Sequence, residues 1–146
     1  MTYPPLLILS SLDEYHKYFE EHYCNQKIYT FDKIRVLFPR SAFDHAFYKS
    51  SSRREKKKDV FSYKRAQRMP WIKVALADAS AKLYCGWDNK RKCIVANRRV
   101  VIVVRNYVVI IQTKSTDRAF FISAFIADQQ ALNKIKLNLE WQKNSR

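Results

Sequence analysis

Residues 100–104 read Val-Val-Ile-Val-Val and residues 107–111 read Tyr-Val-Val-Ile-Ile, with only Arg105-Asn106 between them. Side chains branched at Cβ are stiff about χ1 and pack well on a pleated surface. A two-residue gap has hairpin-loop length, and Asn tolerates positive φ. An antiparallel hairpin is therefore expected here, and the flanking segments extend it. Residues 82–87, Lys-Leu-Tyr-Cys-Gly-Trp, look like a strand closed by a turn at Asp88-Asn89-Lys90. Residues 92–96 form a further apolar run, and residues 119–126 follow a polar turn over 114–118. One antiparallel sheet over 82–126 is the expectation.

Helical signals lie on both sides of this sheet. Ser11-Leu12-Asp13-Glu14 has capping-box spacing, and Leu12, Tyr15, Phe19 and Tyr23 recur at helical intervals, predicting a helix over 12–23. Ser41 is placed to cap a short helix carrying Ala42, His45 and Ala46. Residues 49–59, Lys-Ser-Ser-Ser-Arg-Arg-Glu-Lys-Lys-Lys-Asp, read as an exposed loop. A second helical pattern covers 61–69, Pro70 breaks or restarts it, and a third covers 71–79. Asp128 caps a final helix over about 128–141, with Leu132, Ile135 and Leu139 on its inner side. The fold class is α+β, with N-terminal helices, a four- to five-stranded antiparallel meander and a C-terminal helix. A single domain over 1–146 is expected. It divides into an N-terminal helical region (1–40), a basic helical region (41–80), the sheet (81–127), and the C-terminal helix with its tail (128–146).

At 146 residues, 47% of them hydrophobic and 14% aromatic, the chain has material for one core. Its net charge of +15 exceeds the magnitude of about 2–8 that solubility asks for. The excess is concentrated. Residues 49–73 hold ten basic side chains against two acids and residues 82–105 hold seven against one, which accounts for fourteen of the fifteen excess charges. Such a surface suits a polyanion, because each neutralised phosphate releases counterions. RNA is the expected partner; phospholipid and an acidic protein are the rivals. Tyr48, Phe61, Tyr63, Trp71, Tyr84 and Trp87 are interleaved with the cations, and rings of this kind stack bases while Lys and Arg hold phosphates. Each ring taken singly is more readily a core residue.

Cys24, Cys85 and Cys93 are odd in number and lack C-x-x-C spacing, which fits a reducing cytoplasm better than a disulfide framework or a zinc site. The apolar run at 6–9 is short for a signal peptide, and no stretch approaches the roughly 18 apolar residues of a membrane span. No membrane association is expected.

One glycine in the whole chain excludes a P-loop or a Rossmann turn, and no G-x-S-x-G elbow occurs. His16, His22 and His45 form no H-x-H or H-E-x-x-H pattern, so neither a metal nor another cofactor is expected. Acid–base and electrostatic catalysis remains. RNA suits it, because the 2′-hydroxyl is a built-in nucleophile and the enzyme has only to move protons and stabilise the phosphorane. His45, flanked by Phe43 and Phe47 and just upstream of the basic loop, is the acid–base candidate, against the plain alternative of a structural histidine. Lys64, Arg65 and Arg68 share one side of a helix. Arg65 and Arg68 are then placed to grip one phosphate, or else form a solvated face. Lys56, Lys57 and Lys58 are candidate phosphate-binding residues in the basic loop.

The segments His45-Ala-Phe-Tyr48, Phe61-Ser-Tyr-Lys-Arg-Ala-Gln-Arg-Met-Pro-Trp-Ile72, Tyr84-Cys-Gly-Trp-Asp88 and Ala119-Phe-Phe-Ile-Ser-Ala-Phe125, followed by Asp128, resemble the barnase/EndoU/colicin/RelE-like nuclease group. They are most similar to its phage- and mobile-element-associated branch, over about 42–135. The resemblance implies N-terminal helices on a four-stranded antiparallel meander and endoribonuclease activity on tRNA or ribosome-bound mRNA. It implicates His45, Arg65, Arg68 and Ser123 as catalytic positions, Ser123 standing where such sequences often have Thr. Arg91 and Arg99 are the candidate strand-borne cations. A toxin of this kind implies an acidic antitoxin or immunity protein as partner. The group includes non-enzymatic members, so a non-catalytic nucleic-acid-binding module, or an inhibitor protein docking on an acidic partner, stays open.

Overall fold

The computed structural model describes residues 2–50, 58–88, 93–94, 99–138 and 140–141; for residues 50, 58, 59, 87, 88, 93 and 94 only the backbone is described. The first helix, α1 (Leu12–Phe19), starts where the capping box places it, with the Ser11 hydroxyl accepting the Glu14 N–H at 3.3 Å. It runs on into a π-helical turn over Glu20–Cys24. Its buried stripe is Tyr15, Phe19 and Tyr23, at the predicted spacing. Short strands β1 (Ile28–Tyr29) and β2 (Arg35–Leu37) follow, then α2 (Ala42–Phe47). Ser41 stands at the N-cap of α2 but makes no side-chain capping bond.

The basic segment is more ordered than a loop at both of its ends. Strands β3 (Tyr48–Ser50) and β4 (Lys58–Phe61) pair antiparallel, Tyr48 opposite Phe61 and Lys49 opposite Val60. Next come a single turn, α3 (Tyr63–Ala66), and α4 (Met69–Ala77), which takes Pro70 in its first turn as the missing N–H permits.

Strands β5 (Lys82–Cys85), β8 (Arg99–Val104), β9 (Tyr107–Thr113) and β10 (Arg118–Ile126) form the expected antiparallel meander. Between β5 and β8, β6 (Trp87–Asp88) and β7 (Cys93–Ile94) pair with each other in a separate two-stranded sheet. The main sheet has six strands, in the order β1-β2-β10-β9-β8-β5, rather than four or five. The two extra strands come from the segment read as N-terminal helical region, and β2 pairs parallel with β10, Val36 opposite Ala119. They are too short to show a period-2 pattern; pairing with the edge of β10 extends β2, and β1 pairs antiparallel on β2, Ile28 opposite Val36.

In the β8–β9 turn the positive φ falls on Arg105, at 57°, and not on the neighbouring Asn106. After β10, Asp128 caps α5 (Gln129–Lys136), its carboxylate accepting the Ala131 N–H at 2.8 Å. That helix stops short of the predicted end. Glu140 bridges Tyr84 and the Trp141 N–H donates to the Leu83 carbonyl at 3.0 Å, so the chain covers the open edge of β5 instead.

One face of the sheet carries Val100, Ile102, Val109, Ile111 and Phe121 against α1, α2 and α4. The other carries Val101, Val103 and Val108 under Leu132 of α5. Gly86 follows β5 with its N–H on the Arg99 carbonyl at 2.7 Å. A Cβ there would stand 2.8 Å from the Arg99 Cδ and closer still to its Cγ. Gly86→Ala is expected to destabilise the fold by about 1–3 kcal/mol through this overpacking, read as a lower urea midpoint with an unchanged slope. An unchanged midpoint would show that the Arg99 stem swings aside freely.

Candidate nucleic-acid interface

The single turn α3 is built for its cations. Ser62 is buried and caps it, its hydroxyl accepting the Arg65 N–H at 3.3 Å, while Ala66 packs inward. Lys64 is left exposed. Arg65 is half-buried: its Nη1 donates to the Ala46 carbonyl of α2 at 3.3 Å, and its guanidinium lies 5.3 Å from the centre of the Phe125 ring on β10. Burial lowers the Arg65 pKa, yet a guanidinium stays charged in any accessible pH range. Arg68 donates from Nη1 to the Lys64 carbonyl at 2.8 Å and lies 5.2 Å from the Trp71 ring centre. Its Nε is buried without a hydrogen-bond partner. The two guanidiniums are thus anchored on different neighbours, Arg65 between α2 and β10, Arg68 on Trp71.

Electrostatics separates this turn from the N-terminal helix. Among the described residues the ion pairs all use Glu20 or Glu21: His16–Glu20 at 2.8 Å, Lys17–Glu21 at 3.9 Å and Arg40–Glu20 at 3.6 Å. Lys64, Arg65 and Arg68 have no carboxylate partner among them. Carbonyls and ring faces hold the two guanidiniums in place while leaving their charge available. Orientation without neutralisation is what a phosphate receptor needs.

His45 is exposed in the last turn of α2, one residue before the Ala46 carbonyl that Arg65 holds. Ser123 is 6% exposed and sits at a β-bulge in β10, opposite Ile110. Phe125, two residues on, shares its face. Arg65 therefore links the helix that bears His45 to the strand that bears Ser123. Arg99, at the start of β8, donates from Nη2 to the Gln112 side chain at 3.3 Å. Lys56, Lys57 and Arg91 lie outside the described residues, and Lys58 is described only as backbone in β4.

Of the interleaved rings, Tyr63 on α3 is 50% exposed and stands beside Lys64. Tyr48, Phe61 and Trp71 pack on the main core, Tyr84 packs on the second cluster, and the Trp87 side chain is not described. The helix expected over 61–69 starts instead at Tyr63, and its Ser62 cap has a signal in the sequence, Ser three residues before Arg65, that the expectation did not use; the Ala46 anchor carries no local signal. No known protein family, curated protein or solved structure matches the chain. Among the described residues no helix is long and apolar enough to cross a membrane, and no three His, Cys, Asp or Glu side chains group closely enough to hold a metal ion.

Proposed function

We propose that the protein is a metal-independent endoribonuclease that holds single-stranded tRNA or mRNA along α3 and cleaves it by attack of the RNA's own 2′-hydroxyl. The observation that carries this reading is the set of three cations over residues 64–68, two on α3 and one at the N-cap of α4, two of them oriented by carbonyls and rings and none neutralised by a carboxylate among the described residues. His45, adjoining the Arg65 anchor, supplies the proton transfer, and Arg65 stabilises charge on the phosphorane. Arg68, Lys64 and the basic segment with Lys56, Lys57 and Lys58 hold the flanking backbone, with Arg91 and Arg99 as further cations. Ser123 orients the β10 side of the site. An acidic antitoxin or immunity protein is the matching protein partner.

Binding is tested by the salt dependence of affinity for a single-stranded RNA. Lys64→Ala with Arg68→Ala is expected to flatten the log–log slope by about 0.7 for each phosphate no longer neutralised, leaving the far-ultraviolet spectrum unchanged. An unaltered slope would show that this turn is merely solvated. A second reading, binding without cleavage, is favoured by the burial of Ser123, which keeps one of the candidate groups from solvent.

A further inference from the structure

A cavity of about 420 Å³ opens between the N-terminal strap, the start of α4 and the β8–β9 turn. Its size falls in the range of ligand pockets, roughly 300–1,000 Å³. Three rings form an aromatic corner in its wall. Trp71 meets Tyr3 edge-on at 5.7 Å and Tyr107 edge-on at 5.4 Å. Each ring is held from behind. The Trp71 indole N–H donates to the Pro4 carbonyl at 2.7 Å, and the Tyr107 hydroxyl donates to the Arg68 carbonyl at 3.3 Å. The Tyr3 hydroxyl donates to the buried Asp78 carboxylate at 3.3 Å. Burial, reinforced by Asp78, pushes that hydroxyl up to about 12, so it stays a donor.

Arg105 and Asn106 stand exposed on the rim. Arg105 occupies the left-handed region, φ 57°, which Gly or Asn would enter at lower cost. The strain persists because the turn is tied down: the Ala127 N–H donates to the Asn106 carbonyl at 2.8 Å. A strained arginine above an aromatic corner is the kind of local cost that collects at binding sites. A second guanidinium, that of Arg68 at the N-cap of α4, lies over Trp71, so one wall of the cavity touches the cationic segment that follows α3.

We infer that this cavity is a nucleotide subsite, taking one unstacked base against Tyr3 and Trp71, with the buried Tyr107 ring behind them, and its phosphate on Arg105. The subsite rests on the RNA reading above for its macromolecular partner: it receives one base of the strand that α3 holds. Stacking on aromatic rings is tolerant of base identity, so the subsite adds affinity for single strands without strict sequence preference.

The full chain is to be titrated with adenosine 5′-monophosphate, with inorganic phosphate, with a decamer of adenylate and with an abasic decamer of equal charge. Arg105→Asn removes the guanidinium and relaxes the turn, so it folds at least as well as the parent; Tyr3→Leu removes one wall. Tyr3→Leu is expected to weaken the mononucleotide and the adenylate decamer about tenfold, the effect of losing one stacked base, and to change the abasic decamer little, whereas Arg105→Asn, which loses a phosphate contact, is expected to weaken the mononucleotide and both decamers. Lys64→Ala should weaken both decamers alike and leave the mononucleotide untouched. Wild-type affinity of both pocket variants for the mononucleotide and the adenylate decamer overturns the subsite, while a loss confined to Lys64→Ala keeps the RNA reading. Mononucleotide binding that disappears in Arg105→Asn, in a chain that binds neither decamer, upholds the subsite and overturns the RNA reading instead.

Discussion

Arg65→Ala is expected to lower RNA cleavage about 10²–10³-fold, and His45→Ala about 10²–10⁴-fold, with products ending in 2′,3′-cyclic phosphate and forming in the presence of EDTA. The two effects have different causes. In the proposed mechanism Arg65 acts through a charge already oriented by the Ala46 carbonyl and the Phe125 ring, so that little reorganisation would accompany formation of the phosphorane. In the proposed mechanism the proton passes to or from His45, which is exposed one residue before that carbonyl. Arg65→Lys keeps the charge but loses the planar fork that reaches Ala46, and should recover little of the rate. Circular dichroism and thermal unfolding separate loss of chemistry from loss of fold, because a neutral group facing the Ala46 carbonyl costs only about 1–3 kcal/mol. EDTA-sensitive cleavage leaving 3′-hydroxyl ends would sink the metal-free mechanism. Salt-sensitive binding with no cleavage of tRNA or mRNA would favour the binding module instead.

Legibility followed the range of the interaction responsible. Caps at Ser11 and Asp128 are bonds across three residues, and both formed where the spacing placed them. The hairpin at 99–113 is equally local, since ten β-branched or aromatic residues flank a two-residue gap. Strands β1 and β2 are two and three residues long; β2 owes its extension to a partner some eighty positions away, which no window on 28–37 contains, and β1 pairs in turn on β2. The positive φ went to Arg105 and not Asn106 because strand twist and the Ala127 bond to Asn106 set the turn, overriding side-chain preference. The site divides in the same way. Helical spacing predicts Lys64, Arg65 and Arg68 on one side of a helix, but α3 ends at Ala66 and Arg68 stands at the N-cap of α4. Where each guanidinium goes depends on Ala46, Phe125 and Trp71, residues from three different elements. The face that Ser123 takes depends on a bulge that shifts the β10 register between Phe121 and Ser123, an event with no signature in Phe-Ile-Ser-Ala.

The largest stability effect is expected at Phe19, which holds the site's platform. Its ring is fully buried and lies 5.6 Å from Phe47, 5.8 Å from Phe43, 6.1 Å from Phe38, 5.9 Å from Tyr23 and 6.2 Å from Phe121. One side chain thus joins α1 to α2, to the start of the β2–α2 connection and to β10. Phe19→Ala strips the ring from this cluster and leaves a cavity that five rings cannot all close, a loss of about 3–5 kcal/mol. Against a typical domain stability of about 5–15 kcal/mol, that is most of the margin at the lower end. Phe19→Leu retains much of the volume and should cost about 1–2 kcal/mol. Because Phe43 and Phe47 are α2 residues, the smaller variant also lets α2 settle toward α1 and draws the Ala46 carbonyl off Arg65. A displacement near 1 Å can cost on the order of 10²-fold in rate, so Phe19→Leu should lose far more cleavage than its stability change explains. Urea unfolding beside single-turnover cleavage distinguishes the two quantities. A Phe19→Ala variant destabilised by less than about 1 kcal/mol would show that the aromatic cluster is not the core. A Phe19→Leu variant cleaving RNA at the parent rate would uncouple α2 from the site.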